Sequence, residues 1–491
     1  MTISLDYSFM LADAVTGGVS LDDFSAAKVA FRDAHAAVTA RHESGELGFF
    51  DLPSDRALSA QVLEFAAAAH GRYRDVVLLG IGGSALGPVA LRNALRPPFW
   101  NSLGDAERGG APRLHVLDNV DPVTVGAIMQ RVRLADALFL VISKSGGTAE
   151  TMSQYLIVRD ALTRAGLPLA KHLVFVTDPS KGALRPIATA EGIPALDVPQ
   201  NIGGRFSVLA PVGTLPAALI GIDTEALLAG AGEMTKRCTS DDPTKNPAGA
   251  YAVLQWLADT KGGKRVHVLM PYADSLKDVA AWFVQLWAES LGKARPSGEH
   301  VGPTPLPAVG ATDQHAQVQL FMEGPVDKTI TFIAVRNAAS DIVIPTAHGD
   351  VPDLAYLGGH SLWELLNTER RATTGALAAR GRPSMTIELE QIDAWHVGGL
   401  MMLLEIATAY AGSLYGINAF DQPGVELGKH FTYGIMGRPG FDAAKKEYAS
   451  LPASRADRVI GEASTLCCAP SRFGLSCGTL SRSAPRLSAN F

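Results

Sequence analysis

The sequence predicts an α/β protein of two blocks, each a mainly parallel sheet flanked by helices in a three-layer αβα sandwich. Three observations carry this expectation. Short runs rich in Val, Ile, Leu and Phe recur without polar alternation, as in strands buried on both faces. Most are followed by a Gly- or Ser-rich turn and then a helical pattern, the rhythm of βαβ units. At 491 residues the chain exceeds what one core ordinarily serves, so two large domains are expected.

Taken in order, residues 21–45 are rich in Ala, with Leu21, Phe24, Ala27, Val29, Ala30 and Phe31 at helical spacing and Ser20 or Asp22 placed to cap. Residues 1–55 therefore read as a helical N-terminal segment. Strands are expected at 76–79, 114–117, 137–142 and 172–176, with helices over 85–95, 123–132 and 149–165. A second alternating block has strands at 266–270, 328–334 and 384–388 and long helices at 275–291 and 391–415. Gly221, Gly230, Gly232, Asp241, Asp242 and Pro243 cluster between the blocks. They place a boundary near 220–245 and give domains of 56–225 and 226–435. Residues 436–491 read as a C-terminal helix and an atypical tail. The tail, from about 452, is rich in Ser, Arg, Ala and Pro and is expected to be disordered or loosely attached.

Composition excludes several classes. Charged residues make up 19% and the net charge is −6, which argues against nucleic acid or an anionic membrane as partner. No apolar run of ~18 residues is expected to span a membrane. The start, Met1-Thr-Ile-Ser-Leu-Asp6, lacks the basic and apolar regions of a signal peptide. Of four cysteines, Cys467, Cys468 and Cys477 crowd into the tail and only Cys238 lies in the body. That pattern makes no disulfide framework and points to a reducing, cytoplasmic setting.

Chemistry concentrates in polar islands within apolar surroundings. In Gly80-Ile-Gly-Gly-Ser-Ala85, Gly82 and Gly83 would let backbone N–H groups approach a sugar or phosphate, with the Ser84 hydroxyl assisting. The same residues formally fit a dinucleotide fingerprint or a bare βα turn. In Ser143-Lys144-Ser145-Gly-Gly-Thr148, three hydroxyls and two glycines fall between a strand and a helix N-terminus, where an anion is favoured. N-capping by Ser145 or Thr148 is the plain alternative. Arg205, in Gly203-Gly-Arg-Phe-Ser207, suits either a developing oxyanion or a salt bridge at a helix start. Gln285 and Glu289 are i and i+4 on an otherwise apolar helix, so they share a face; a carboxylate there serves as a base or is half-solvated before Gly292. His315 has Asp313 and Gln314 beside it as candidates to fix its tautomer. Gln422 and Lys429 lie seven apart, two turns if that segment is helical. No His, Cys or carboxylate cluster has metal-ligand spacing, and no metal is expected.

Together these segments resemble the glucose-6-phosphate isomerase family. Asn201-Ile-Gly-Gly-Arg-Phe-Ser-Val208 and Gly416-Ile-Asn-Ala-Phe-Asp-Gln-Pro-Gly-Val-Glu-Leu-Gly-Lys429 match its two recurring patterns. Gly80–Pro88, Ser143–Thr151, Glu289–Lys293 and Gln314–Gln319 match further segments in the right order. The resemblance covers roughly residues 50–435. It implies two sugar-isomerase (SIS) domains and the interconversion of glucose 6-phosphate and fructose 6-phosphate in glycolysis and gluconeogenesis, with no cofactor. It implies that Ser143, Lys144, Ser145 and Thr148 bind the phosphate, and that Gly83, Ser84, Gln285 and Gln422 line the sugar site. Glu289 becomes the base between C2 and C1, Arg205 the enediolate stabiliser, and His315 with Lys429 the ring-opening pair. It further implies a cytoplasmic homodimer with shared sites, His315 coming from the neighbouring subunit. Two other readings stand beside it: a non-catalytic phosphosugar-binding protein on the same fold, and a nicotinamide-dependent dehydrogenase using Gly80–Ala85. Mannose 6-phosphate is left open as a second substrate.

Overall fold

The computed structural model of the chain describes residues 2–455 and 458–461. The three tail cysteines, and most of the segment expected to be disordered, lie outside the described residues. The chain divides into two compact units, Met1–Asp421 and Gln422–Phe491.

The strands of the first unit are β1 (Ile3–Asp6), β2 (Asp75–Leu79), β3 (Arg113–Leu117), β4 (Ala137–Ile142), β5 (Leu173–Thr177), β6 (Ala195–Asp197), β7 (Val266–Pro271), β8 (Lys293–Ala294), β9 (His300–Val301), β10 (Thr304–Pro307), β11 (Lys328–Val335) and β12 (Ser384–Leu389). One sheet runs β3-β2-β4-β5-β6 with every pair parallel. β2, β4 and β5 are buried along their whole length, which is why they read as unbroken apolar runs. The other sheet runs β1-β12-β11-β7-β10 and is parallel except at one edge. That edge corrects the expected all-helical N-terminal segment: β1 pairs antiparallel with β12, Ile3 opposite Leu389. The helix that follows, Leu21–Glu43, is capped by Ser20, whose hydroxyl accepts from the Asp23 amide, as expected.

The stretch read as a boundary near 220–245 is not a linker. Helix Thr224–Arg237 occupies most of it, and buries Leu227, Leu228, Ala231 and Met234. It packs on Ala394–Leu414 through mutual small residues. A Cβ at Gly398 would lie 1.9 Å from the Leu227 carbonyl oxygen, and one at Gly230 would lie 1.8 Å from that of Trp395. Ala394–Leu414 is long and apolar enough to cross a membrane by length and composition alone. Here it is the central core helix, enclosed by helices Leu21–Glu43, Thr224–Arg237, Pro247–Thr260 and Lys277–Leu291. The described part of the second unit holds two short helices, Glu426–Ile435 and Asp442–Ala449, joined by ring contacts of Tyr433 and His430 with Phe441.

Candidate active site

β2 lies between β3 and β4, so the chain leaves β2 for one side of the sheet and returns on the other. Ligands bind outside the carboxyl ends of strands at such a reversal. The Gly80 turn leaves the end of β2 and the Ser143 turn leaves the end of β4, side by side.

At the Ser143 turn, the hydroxyls of Ser143, Ser145 and Thr148 form a triangle. Ser143 lies 3.1 Å from Thr148 and 3.4 Å from Ser145, and Ser145 lies 3.2 Å from Thr148. Thr148 is the N-cap of helix Ala149–Arg164, yet no side chain caps it. The capping alternative is therefore not what these hydroxyls do; they converge on one another over a helix N-terminus with uncapped N–H groups. Lys144 departs from the expected phosphate contact. Its ammonium donates to the carbonyls of Gln200 (2.8 Å) and Ile202 (2.5 Å). Burial pushes it below the usual lysine range, with Asp178 working the other way. Lys144 thus ties the serine turn to the segment leading into Arg205.

Gly83 begins helix Gly83–Leu95, behind the N-cap Gly82 with φ +57°. A Cβ at Gly83 would lie 2.1 Å from the Gly204 carbonyl oxygen, so only glycine lets these two backbones meet. Arg205 is thereby pressed against the Gly80 turn, on a 3-10 turn Gly204–Phe206. Its side chain is 2% exposed. A guanidinium so buried needs fixed acceptors. Nε donates to the Ser290 hydroxyl (2.6 Å), and Nη2 to the carbonyls of Ala419 and of Asp421 (2.9 Å for the latter). Nη1 lies 3.4 Å from Glu289 Oε1. Burial pulls the Arg205 guanidinium below the usual arginine range, opposed by Glu289 and Asp421.

Helix Lys277–Leu291 carries the base candidate. Gln285 Nε2 donates to Glu289 Oε2 at 2.8 Å, which confirms the shared face. The Glu289 side chain is 26% exposed and the helix is capped at Gly292. Gln285 reaches the Gly80 turn as well: its Nε2 lies 3.0 Å from where a Gly82 Cβ would be, and its buried Oε1 has no partner among the described residues. One constellation thus joins Gly82, Gly83, Gln285, Glu289 and Arg205, with Ser84 on the first turn of the Gly83 helix.

His315 is exposed, and no bond of that constellation reaches it. The suggested tautomer partners are engaged elsewhere. Asp313 Oδ2 accepts from the Val309 amide (2.6 Å), and Gln314 Nε2 donates to Tyr272 Oη (2.7 Å) and Thr373 Oγ1 (2.6 Å). Gln422 and Lys429 belong to the second unit. They are not two turns of one helix: Gln422 precedes a 3-10 turn Pro423–Val425, and Lys429 lies in Glu426–Ile435, paired with Glu426 at 2.8 Å. Among the described residues no group of His, Cys, Asp and Glu could hold a metal ion. Sequence reasoning missed Ser290, fully buried beside Glu289. Its signal was a hydroxyl on the apolar face of the helix, which has to find a partner.

The match to the phosphoglucose isomerase family covers residues 59–453. The chain belongs to the phosphoglucose isomerase family. It is 48% identical over 399 residues to a glucose-6-phosphate isomerase of Rubrobacter xylanophilus, covering 81% of this chain and 90% of that one. Among solved structures it is similar to a hypothetical protein of Thermus thermophilus, at a TM-score of 0.80 and 36% identity over 89% of this chain and 100% of the other. It is also similar to a glucose-6-phosphate isomerase of Chlamydia trachomatis, at a TM-score of 0.67 and 26% identity over 85% and 78%. This phosphoglucose isomerase family member keeps the parallel sheets flanked by helices that the sequence predicts.

Proposed function

We propose that the constellation around Glu289 and Arg205 is where this chain interconverts glucose 6-phosphate and fructose 6-phosphate. The family is an isomerase family (EC 5.3.1.9), and the chemistry follows from the residues. The open-chain aldose is acidic at C2, next to its carbonyl. Glu289 takes the C2 proton and the electrons move onto O1 as an enediolate; the O2 hydroxyl proton then passes to O1, and Glu289 returns its proton to C1, which leaves the carbonyl at C2 of the ketose. Oε2 of Glu289 accepts from Gln285, which leaves Oε1 facing the side where Arg205 Nη1 sits. A guanidinium fixed there by hydrogen bonds to Ser290, Ala419 and Asp421 stabilises the oxyanion without moving. The unsatisfied Gln285 Oε1 suits a sugar hydroxyl as donor.

The phosphate takes the hydroxyl triangle of Ser143, Ser145 and Thr148, and its binding energy orients the reacting carbons. Gly83 and Ser84 line the sugar, joined by Gln422. His315 and Lys429 open the ring, one protonating the ring oxygen while the other receives the hydroxyl proton. The exposure of His315, with no hydrogen-bond partner for its ring among the described residues, supports a homodimer in which it completes the neighbour's site. An unpaired, buried Cys238 agrees with a cytoplasmic setting. The observation that carries the reading is the Gln285–Glu289–Arg205 arrangement. It is tested by running the reaction in deuterated water and following label at C1 and C2. Exchange is expected in the wild type and absent in Glu289→Gln; equal exchange in both would remove Glu289 as the base.

A further inference from the structure

Lys293 follows the cap Gly292 and opens β8. Its side chain is only 8% exposed, which for a lysine requires fixed oxygen partners. Nζ donates to the carbonyls of Asn418 (2.9 Å) and Ser290 (3.1 Å), and pairs with Asp421 Oδ1 at 3.2 Å. These are the neighbours of Arg205. Ser290 holds its Nε through the hydroxyl, and Ala419 and Asp421 hold its Nη2 through carbonyls. The turn 418–421 is tightened further: Asn418 Nδ2 donates to Asp421 Oδ2 (3.0 Å), and Arg41 Nη2 donates to Asn418 Oδ1 (3.1 Å).

We propose that Lys293 is a positioning residue for the isomerisation, gripping Ser290 and the 418–421 turn so that Arg205 stays aimed at Glu289. This rests on the roles of Arg205 and Glu289 proposed above. The local charges are two cations, Arg205 and Lys293, against two carboxylates, Glu289 and Asp421. With Lys293 in place, the Asp421 carboxylate is occupied and offers Arg205 only its carbonyl. Without the ammonium, that carboxylate has lost its cation, keeps the Asn418 amide at the end of a loosened turn, and competes with Glu289 for the guanidinium. Burial pushes the Lys293 ammonium below the usual lysine range; the Asp421 hydrogen bond opposes that and Arg205 adds to it, so the three groups sense one another.

The test is steady-state kinetics on full-length Lys293→Met, in the wild-type and Arg205→Ala backgrounds, with and without Asp421→Asn. Displacing a guanidinium by about an ångström costs kcat roughly 10- to 100-fold, while KM, governed by the phosphate-binding Ser143 turn proposed above, stays within about twofold. In the Arg205→Ala background, Lys293→Met has almost no further effect on kcat. Asp421→Asn added to Lys293→Met removes the competing charge and restores part of the lost kcat. It also carries the comparison if Lys293→Met alone does not fold. An unchanged kcat, an equal loss in both backgrounds, or no recovery with Asp421→Asn overturns the positioning role while leaving the isomerase site standing. Wild-type turnover in both Arg205→Ala and Glu289→Gln would instead remove the site reading, and this proposal with it.

Discussion

Glu289 is held between an amide and a guanidinium, and each contact has a separate consequence. Glu289→Gln keeps the shape and the Gln285 neighbour but cannot accept a carbon-bound proton. Its kcat is expected to fall by about 10²- to 10⁴-fold with substrate affinity nearly unchanged, measured by coupled assay and by isothermal titration. Gly83 makes a geometric prediction at the same scale. A methyl there meets the Gly204 carbonyl oxygen at 2.1 Å. Gly83→Ala is expected to cost about 1–3 kcal/mol in stability and to lower kcat by shifting Arg205. Thermal unfolding and kinetics on one preparation check both. The pairing of Gln285 with Glu289 was legible from i, i+4 spacing alone. The embrace of Arg205 was not, because its acceptors lie at Ser290 and at 419–421, far away in sequence.

The Ser143 turn works as an element, since its hydroxyls act together over one helix N-terminus. Ser145→Ala with Thr148→Ala should raise KM for the phosphorylated sugar by about tenfold or more and leave kcat less affected. An unchanged KM would move the phosphate elsewhere. The core helix Ala394–Leu414 carries a second prediction. Glu405 on it is fully buried, and neither carboxyl oxygen has a partner among the described residues. Burial pushes its carboxyl well above the usual 4.5. The folded protein therefore keeps the proton where the unfolded chain has lost it, and stability is lost as pH rises above that usual value. Glu405→Gln should raise Tm by about 2 °C or more at pH ~8 and by less at pH ~5. The buried strands were plain from their apolar runs. Edge strands were not: β10 is Thr-Pro-Leu-Pro, with prolines that sequence reasoning assigns to loops, and it sits at the sheet edge where a missing N–H is tolerated. β1 is short and polar at alternate positions, so nothing local shows that it adds to a sheet completed by residues 384–389. In the 220–245 stretch Gly230 serves close contact with the core helix at Trp395, which its composition did not show.

Over the whole molecule, the order of the polar islands along the chain already pointed to the family, whereas a single subunit's fold does not say how His315 meets the substrate. If sites are shared, Glu289→Gln and His315→Ala homodimers are each inactive, but remixed subunits rebuild one intact site per mixed dimer. Statistical remixing should return about a quarter of wild-type activity. No recovery after verified subunit exchange would place His315 in its own subunit's site, and an active His315→Ala homodimer would place it outside the reaction. His315→Ala alone should slow turnover of the cyclic sugar far more than that of the open-chain form. The most direct measurement of the central claim is the conversion of fructose 6-phosphate to glucose 6-phosphate by the purified full-length chain, beside folded Glu289→Gln. Turnover in the wild type that is lost in the variant is the predicted result. A well-folded wild type without turnover, or a variant that matches it, would contradict the account.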